Sequence, residues 1–338
     1  MNSSHELESV SVVIPCYNEE KFIGQALDQL ADQFDRSRYE LIIVDGLSTD
    51  NTRKVIDDFR KRYPDLPVTI VDNPARNIPT ALNLGINAAR GEIIARMDAH
   101  AVPSVGYVRR CVEVLEQDKA GAVGMPCRVR PGADTLMAKA IAGAVSHPFG
   151  IGDATYRLVT GNAQQEAVDT VAFACFRKSL WKELGGFNER LLTNEDYDFN
   201  YRIRMSGRDV LLDRRGQCDY FARTTLSALA AQYRRYGGWK ARMLRSNPGS
   251  AKLRHLVAPV FVLSLLILMA LSLLWLPALI LLAVVIGLYL IMALWCAVEI
   301  ARSNDSDFRM LLVVPLVLLT IHLNWGTSFL IGLIREPK

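Results

Sequence analysis

The chain has 338 residues, of which 50% are hydrophobic and 22% are charged, and its formal net charge is +4. This length suggests one large domain or two ordinary ones. The hydrophobic residues are unevenly distributed, since residues 256–298 contain no charge at all, and this argues against a wholly soluble protein. The six cysteines show no paired spacing, which argues against a zinc site and favours a reducing compartment.

Apolar runs alternate with segments of helical periodicity near the start of the chain. The pattern predicts strands at residues 10–14, 40–44, 68–71 and 92–96, and helices at residues 19–34, 51–63 and 78–89. Such alternation predicts a parallel sheet with helices on both faces. Right-handed crossovers then bring the carboxyl ends of the strands to one edge of the sheet, where ligands bind in sheets of this kind.

The pattern is less regular farther along the chain. It predicts strands at residues 122–125, 171–176 and 210–212, and helices at residues 179–184, 195–205 and 226–244. The last of these helices has apolar or interfacial side chains, Leu229, Tyr233 and Trp239, with arginines between them. An amphipathic helix of this composition is expected to lie on a membrane surface.

Two long apolar stretches complete the chain. About 20 apolar residues cross the hydrocarbon core of a bilayer, so the stretches predict about three transmembrane helices, at residues 256–275, 277–298 and 310–334. A re-entrant hairpin explains residues 256–298 almost as well. The predicted organisation is a cytosolic domain at residues 1–225, a basic amphipathic interface segment at residues 226–254, and a transmembrane region at residues 255–338.

The residues that precede the first apolar stretch are strongly basic. The segment from Tyr220 to Leu256 carries Arg and Lys but no Asp or Glu. Cations beside a span mark the cytoplasmic side and favour anionic headgroups, which predicts a multi-pass membrane protein with a cytoplasmic N-terminal domain. This position accounts for the basic run without nucleic acid. In the last span, His322 and Asn324 are expected to bond a neighbouring helix or a partner.

Asp98 and His100 follow the fourth predicted strand. In an extended backbone, side chains two residues apart point the same way. A carboxylate and an imidazole that converge suit a divalent cation that also holds phosphates. The alternative is a helix-capping Asp beside a surface His.

Polar side chains also follow the first two strands. The ring of Tyr17 can stack on a base, whereas Asn18 and Glu19 either hold a nucleoside or cap the next helix. Asp45, at the end of the second strand, can bond a base or a ribose. No G-x-G-x-x-G motif follows the first strand and no P-loop motif is present. A nucleotide is therefore expected here, but not an NAD cofactor or a P-loop triphosphate.

Two further motifs carry charge. The sequence NEDYD at residues 194–198 opens a predicted helix, where acids ordinarily act as caps or dipole partners. The alternative is a general base that takes a proton from an incoming hydroxyl. Arg234, Arg235 and Trp239 stand just before the apolar stretches, and they either neutralise a diphosphate leaving group or contact lipid headgroups.

Together these motifs resemble those of the family 2 glycosyltransferases. The resemblance runs from about Val10 to Trp239, and it is carried by VSVVIPCYNEE, DGLSTDNT, MDAH and NEDYD in the family's order. It implies the GT-A fold, a Rossmann-like and mostly parallel sheet with flanking helices, here followed by C-terminal transmembrane helices. Within the family, the chain is similar to membrane-attached exopolysaccharide enzymes of the succinoglycan glucosyltransferase type.

The resemblance implies roles for the matching positions. The residues that would bind the donor are Pro15, Tyr17, Glu19, Asp45 and Asp98. Asp98 would be the first acid of a D-x-D metal motif that holds Mn²⁺ or Mg²⁺, with His100 in its last position. Asp196 would be the catalytic base.

The remaining positions would contact the acceptor or the diphosphate. They are Glu195, Gln232, Arg235 and Trp239. The last three resemble a loosened Q-x-x-R-W motif in which Trp239 stands three residues late. This departure argues against a processive polysaccharide synthase.

The function that the resemblance implies is an inverting transfer. A sugar, with glucose as the first candidate, would move from a UDP-sugar to a polyprenyl-diphosphate-linked saccharide in exopolysaccharide or cell-surface glycan synthesis. Two alternatives stay open: a polyprenyl-phosphate monosaccharide synthase, and a non-catalytic membrane protein that binds a nucleotide sugar or a glycan. The expected partner besides the substrates is membrane lipid. A second copy of the chain and other glycan-assembly proteins are further candidates.

Overall fold

The computed structural model describes residues 8–117, 120–157, 163–303 and 307–335. The chain divides into two compact units. The first unit is Met1–Arg128 with Thr155–Tyr220, and the second is Val129–Ala154 with Phe221–Lys338. The sequence boundary at residue 225 assigns residues 129–154 to the N-terminal domain, whereas their contacts group them with the C-terminal helices.

The strands of the described residues are short. They are β1 (Val10–Cys16), β2 (Tyr39–Asp45), β3 (Val68–Asp72), β4 (Ile93–Arg96), β5 (Ala101–Pro103), β6 (Ala120–Gly124), β7 (Cys127–Arg130), β8 (Gln165–Ala167), β9 (Cys175–Arg177), β10 (Asp209–Asp213) and β11 (Cys218–Phe221).

The four longest helices of the described residues are the last four along the chain. They are α1 (Ile23–Leu30), α2 (Thr52–Arg62), α3 (Ile78–Ala88), α4 (Tyr107–Gln117), α5 (Leu136–Ala144), α6 (Pro148–Ile151), α7 (Lys178–Glu183), α8 (Glu195–Met205), α9 (Leu226–Ser246), α10 (Leu253–Ser272), α11 (Leu276–Ser303) and α12 (Met310–Ile334).

The main sheet has the strand order β3-β2-β1-β4-β9-β6-β10-β8. Strands β1 to β4 pair in parallel, and β6 pairs in parallel with β10. Strand β9 is antiparallel to both of its neighbours, and β8 is antiparallel to β10. The predicted α/β fold with a mostly parallel sheet is therefore confirmed, and a second sheet of order β5-β11-β7 accompanies it.

Side chains on both faces of β1 are buried. Val12 and Ile14 face a cluster that includes side chains of α1, α2 and α4, whereas Val13 faces a cluster with side chains of α3 and α8. Burying one such aliphatic side chain stabilises the fold by about 1.5–3 kcal/mol. The near-continuous apolar runs of the central strands thus follow from burial on both sides.

One predicted strand is largely wrong. The strand predicted at residues 171–176 begins only at Cys175, because Phe173 has a left-handed backbone with φ of 52°, which ends an extended conformation. Sequence patterns also missed the short strands β5, β7, β8 and β11 and the helices α4 and α5.

The second unit contains the apolar helices. Within the described residues, α10, α11 and α12 are long and apolar enough to cross a membrane. The interhelical bonds predicted for His322 and Asn324 are confirmed: the His322 ring lies 3.0 Å from the Tyr289 hydroxyl of α11, and Arg234 of α9 donates to Asn324 at 2.7 Å.

Candidate active site

The carboxyl ends of three parallel strands lie side by side in the first unit. Cys16 at the end of β1 pairs with Asp45 at the end of β2, and Val13 pairs with Arg96 at the end of β4. Parallel strands deliver their following loops to one edge of the sheet. The predicted donor-binding positions are therefore gathered at one edge.

Tyr17 presents an open ring at this edge. Its side chain is 43% exposed, and the guanidinium of Arg76 lies 5.3 Å from the ring centroid. Arg76 is itself held by a bond from its Nε to the carbonyl oxygen of Gly46 at 3.1 Å. An exposed aromatic ring beside a fixed cation can stack on a base and attract the adjoining phosphates.

Asp45 is buried and already bonded within the chain. The Ser48 hydroxyl and the Arg53 Nε each donate to its carboxylate at 2.5 Å. The nearby Cys16 thiol has a raised pKa, chiefly because it is buried and secondly because of Asp45. The chain's own groups thus occupy Asp45, and its partners Ser48 and Arg53 form part of the surroundings that a nucleoside would meet.

Asp98 and His100 do not share an extended backbone. The Ala101 amide donates to the Asp98 carbonyl at 3.0 Å, so residues 98–101 form a turn, and the premise that alternate side chains converge is wrong. Asp98 instead lies 3.4 Å from the Arg96 guanidinium, and the His100 Nδ1 lies 3.2 Å from the Glu19 carboxylate.

This turn offers few protein groups that could bind a metal ion. Among the described residues, no cluster of three or more His, Cys, Asp or Glu side chains is arranged to hold a metal ion. The Asp98 side chain is 20% exposed, so its carboxylate is accessible. Mg²⁺ commonly binds through one or two carboxylates and takes its other ligands from water and substrate phosphates. The donor set fits that kind of substrate-completed site, with Asp98 as its anchor.

A single buried arginine lies among three carboxylates. The Arg96 guanidinium is 3.1 Å from Glu195, 3.4 Å from Asp98 and 3.9 Å from Asp196. Burial lowers the pKa of this guanidinium, but the three carboxylates together outweigh burial and raise the pKa above its usual value. Arg96 therefore connects the acid after β4 with the two acids that open α8.

The acids that open α8 have different surroundings. Glu195 is 5% exposed and faces Arg96, and burial raises its pKa to about 7 although Arg96 opposes the shift. Asp198 is 2% exposed and accepts a bond from Arg202 at 2.9 Å. Asp196 is 39% exposed, so it is the acid of this turn that an incoming hydroxyl can reach.

The turn before α8 explains why Asp196 is exposed. Asn194 has a left-handed backbone with φ of 70° and makes no side-chain cap bond. The Asp198 amide donates to the Asn194 carbonyl at 2.9 Å, which closes the first helical turn. Asp196 projects from that turn at a helix N-terminus, where a carboxylate is electrostatically favoured.

The last predicted residues lie on α9, in the second unit. Gln232 is 9% exposed and donates to the Tyr236 hydroxyl at 2.9 Å. Arg235 is exposed. The Arg242 guanidinium covers the Trp239 ring at 4.4 Å from its centroid. The acceptor or diphosphate roles of Gln232, Arg235 and Trp239 stay predictions.

Three arginines of the site escaped the sequence analysis. They are Arg53, Arg76 and Arg96. Of these, Arg96 gave a usable signal, because a cation at the end of an otherwise apolar strand run, two residues before an acid, requires buried partners. Arg53 and Arg76 lie in polar segments where a cation is unremarkable.

Comparison with known proteins adds the family. The family profile described as "Glycosyl transferase family 2" matches residues 11–185, slightly more than half of the 338 residues. The match ends before Glu195 and Asp196, so the α8 acids lie outside it.

Two relatives are similar over most of the chain. The succinoglycan biosynthesis protein ExoA of Rhizobium meliloti (strain 1021) is 28% identical over 97% of this chain and 96% of its own length. A protein of Methanococcus voltae is 26% identical over 70% of this chain and 74% of its own length. Its name is dolichyl N-acetyl-alpha-D-glucosaminyl phosphate 3-beta-D-2,3-diacetamido-2,3-dideoxy-beta-D-glucuronosyltransferase.

A solved structure shares the fold. It is the mannosyltransferase PcManGT from Pyrobaculum calidifontis in complex with GDP-Man and Mn²⁺, which superimposes with a TM-score of 0.62. The match covers 95% of this chain and 88% of that chain at 22% identity. At this identity the likeness shows the GT-A fold and no more.

Proposed function

Because the chain belongs to glycosyl transferase family 2, we propose that it is an inverting, nucleotide-sugar-dependent hexosyltransferase. It moves a sugar, with glucose as the first candidate, from UDP to a polyprenyl-diphosphate-linked saccharide in exopolysaccharide or cell-surface glycan synthesis. The observation that carries this proposal is the position of the accessible Asp196, 3.9 Å from the same guanidinium that contacts Asp98 at 3.4 Å. The Arg96 guanidinium thereby lies beside both Asp98, the acid proposed for the donor, and Asp196, the acid proposed for the acceptor.

The proposed mechanism divides the work among these residues. Tyr17 stacks on the base of the donor, and Arg76 beside it neutralises phosphate charge. A divalent cation, Mn²⁺ or Mg²⁺, supplies electrostatic stabilisation of the leaving diphosphate when bound at Asp98. Asp196 accepts the proton of the acceptor hydroxyl as that oxygen attacks the anomeric carbon from the face opposite the diphosphate.

The proposed acceptor is attached to a lipid. The M. voltae relative has a dolichyl phosphate sugar in its name, and α9 carries the exposed Arg234 and Arg235 just before the apolar helices. Cations at that place favour an anionic membrane surface. We place the protein in a bacterial-type inner membrane with its catalytic unit on the cytoplasmic face.

Product analysis tests the proposal. Detergent-purified protein is incubated with a panel of UDP- and GDP-sugars and two acceptors, a polyprenyl-diphosphate-linked sugar and a plain polyprenyl phosphate. Mass spectrometry of the lipid fraction should reveal one added hexose on the diphosphate-linked sugar, with UDP released and inverted anomeric configuration. Transfer to the plain phosphate would instead identify a polyprenyl-phosphate synthase, and transfer from GDP-sugars alone would overturn the choice of nucleotide.

A non-catalytic binding protein is the remaining alternative. It would bind nucleotide sugars in calorimetry yet release no nucleotide with any donor and acceptor of the panel. The matched control is Asp196→Asn, which should bind UDP like the parent protein and form far less product. Equal product from the parent protein and this variant would remove Asp196 from the mechanism.

A further inference from the structure

The turn between α10 and α11 is unusually apolar. Leu273, Leu274 and Leu276 are 83%, 91% and 66% exposed. Between residues 265 and 288, Ser272 is the sole hydroxyl and no residue is charged, and the Ser272 hydroxyl donates to the Met269 carbonyl at 2.8 Å. A turn that joins two complete spans lies in water on the far side of the membrane, where such leucines are unfavourable.

The backbone of this turn suits a dry environment. The amides of Leu274 and Trp275 donate to the Leu271 carbonyl at 3.0 and 2.9 Å, and the Ala278 amide donates to the Trp275 carbonyl at 3.0 Å. Pro277 has no amide hydrogen to satisfy. In hydrocarbon, backbone groups must find their partners inside the protein, and this turn pairs these donors.

Helices α10 and α11 form a hairpin, and the part of it that is not packed against the rest of the second unit is short. No residue of α10 beyond Val262 is buried, and residues 279–292 of α11 contain no buried residue either. At a rise of 1.5 Å per residue, these arms measure about 15 Å and about 21 Å. The hydrocarbon core is about 30 Å thick, so the arms that stand free of the rest of the second unit reach about half to two-thirds of the way across.

Helix α12 packs against α9, which is rich in basic residues. A Cβ on Gly237 of α9 would lie 2.4 Å from the Trp325 carbonyl oxygen of α12, so the two backbones touch. Toward the end of α12, Arg245 of α9 donates to the Arg335 carbonyl at 2.6 Å. The basic residues of α9 are Arg234, Arg235, Lys240, Arg242 and Arg245.

The other half of α12 is covered as well. The His322 ring lies 3.0 Å from the Phe149 carbonyl of α6, and Val314, Val317 and Leu318 pack in one cluster with alanines of α5. If α12 crossed the bilayer, it would draw the cations of α9 into hydrocarbon, and charges there are costly unless paired or hydrated. The position of α12 therefore fits the membrane surface better than the membrane interior.

We propose that α10 and α11 form a re-entrant hairpin, which enters the lipid hydrocarbon from the cytoplasmic face and returns to it, while α12 and the C-terminus remain on that face. The partner of the exposed leucines is the acyl chains of the bilayer. The proposal rests on the proposed membrane attachment, but it does not depend on sugar transfer. In this arrangement none of the three apolar helices crosses the membrane completely.

The parity of crossings gives the first test. Three crossings place the C-terminus on the side opposite to the catalytic unit, whereas a re-entrant hairpin places both on the same side. Full-length chains are fused at the C-terminus to green fluorescent protein or to alkaline phosphatase and expressed in bacteria. Fluorescence without phosphatase activity is expected. Phosphatase activity without fluorescence would overturn the proposal.

Labelling of the hairpin tip gives the second test, because two crossings by α10 and α11 with a surface α12 also leave the C-terminus inside. Leu274→Cys is compared with Leu253→Cys, an 80% exposed position at the start of α10, using a membrane-impermeant maleimide on intact cells and on inverted vesicles. Leu253→Cys should react in inverted vesicles alone. Leu274→Cys should react in neither, and its reaction on either side would contradict insertion into hydrocarbon.

Two measurements separate the possible failures. The unlabelled parent chain gives the background from its own cysteines, which are all buried. Carbonate-washed membranes should retain the protein, and its loss into the wash would overturn membrane embedding itself. A protein that shows the expected labelling but no sugar transfer would keep the hairpin and refute the proposed function instead.

Discussion

The Arg96 guanidinium contacts the Glu195 carboxylate at 3.1 Å, and these two side chains are only 9% and 5% exposed. A buried charge is tolerated when it is paired, and removal of one partner leaves the other uncompensated. Arg96 also contacts Asp98 and Asp196. The pair therefore links the stability of the strand edge to the geometry of the acids that we assign to donor and acceptor.

Replacement of Arg96 separates these two contributions. Arg96→Met should lower the free energy of unfolding by about 3–5 kcal/mol, because Glu195 loses its partner. The turnover rate should also fall by about 100-fold, since a small displacement of reacting groups costs this much. Steady-state kinetics and thermal unfolding of the detergent-solubilised protein measure both effects.

The control is the double variant Arg96→Met with Glu195→Gln. Without a buried carboxylate to compensate, it should regain most of the lost stability while its turnover stays low, because Asp98 and Asp196 still lack their common cation. Recovery of turnover together with stability would mean that Arg96 merely neutralises Glu195.

Glu195 should make stability depend on pH. Burial raises its folded-state pKa from 4.5 to about 7, so between these values the folded protein holds a proton that the unfolded chain has released. Its contribution to stability is present below pH 4.5 and is lost as the pH rises through 7. Glu195→Gln cannot ionise, so the Tm of this variant relative to the parent should rise by several degrees between pH 5 and pH 8. A difference that is constant with pH would contradict the burial of an ionisable group.

Most of the first four strands of the main sheet could be predicted from the sequence. Strands β1, β2 and β4 are buried on both faces, so their apolar runs predict them directly, whereas β3 is only partly buried. The short strands β5, β8 and β11 have three or four residues each, which is too short for a period to emerge. Their positions are set by long-range pairing, such as that of Cys218 with Pro103, which no local pattern encodes.

The site was predictable in its parts but not in its connections. Tyr17, Asp98 and Asp196 follow strand ends or open a helix, so their motifs place them at the edge of the sheet. The role of Arg96 depends on a contact with Glu195, which lies 99 positions later in the sequence. Similarly, the extended backbone expected at His100 gives way to a turn that a local bond from Ala101 to Asp98 closes.

Tyr17 should determine affinity for the base. Tyr17→Ala removes the exposed ring and should weaken UDP binding by about 10-fold or more, since stacking of a base on an aromatic ring contributes about 1–3 kcal/mol. Calorimetry with UDP measures the change. Tyr17→Phe keeps the ring and is the matched control, so an equal loss in both variants would show that the hydroxyl rather than the ring is important.

Asp98 and His100 should differ in their effect on metal dependence. Asp98→Asn should abolish the increase in UDP affinity that Mn²⁺ produces, measured by calorimetry with and without the metal, whereas exposed Asp65→Asn should leave it unchanged. An unaltered metal effect in Asp98→Asn would exclude this carboxylate as the anchor.

His100 is tested by two replacements. If its imidazole binds the metal, His100→Asp should retain activity and shift the preference from Mn²⁺ toward Mg²⁺, because carboxylate oxygens suit Mg²⁺ better than imidazole does. His100→Ala should then lose metal-dependent UDP binding. Parent-like behaviour of both variants would restrict His100 to its contact with Glu19.

Asp196 carries the chemical step in the proposed mechanism. Asp196→Asn keeps the size of the side chain but cannot accept a proton, so turnover should fall by about 10²- to 10⁴-fold. Binding of UDP should change little, because the Asp196 side chain is exposed and Arg96 retains Asp98 and Glu195. Asp198→Asn gives the structural comparison: Asp198 is 2% exposed and bonded to Arg202, so this variant should lose stability more than turnover per folded molecule. If Asp196→Asn instead lost stability and kept its turnover, the accessible acid of α8 would be a helix cap and another group would serve as the base.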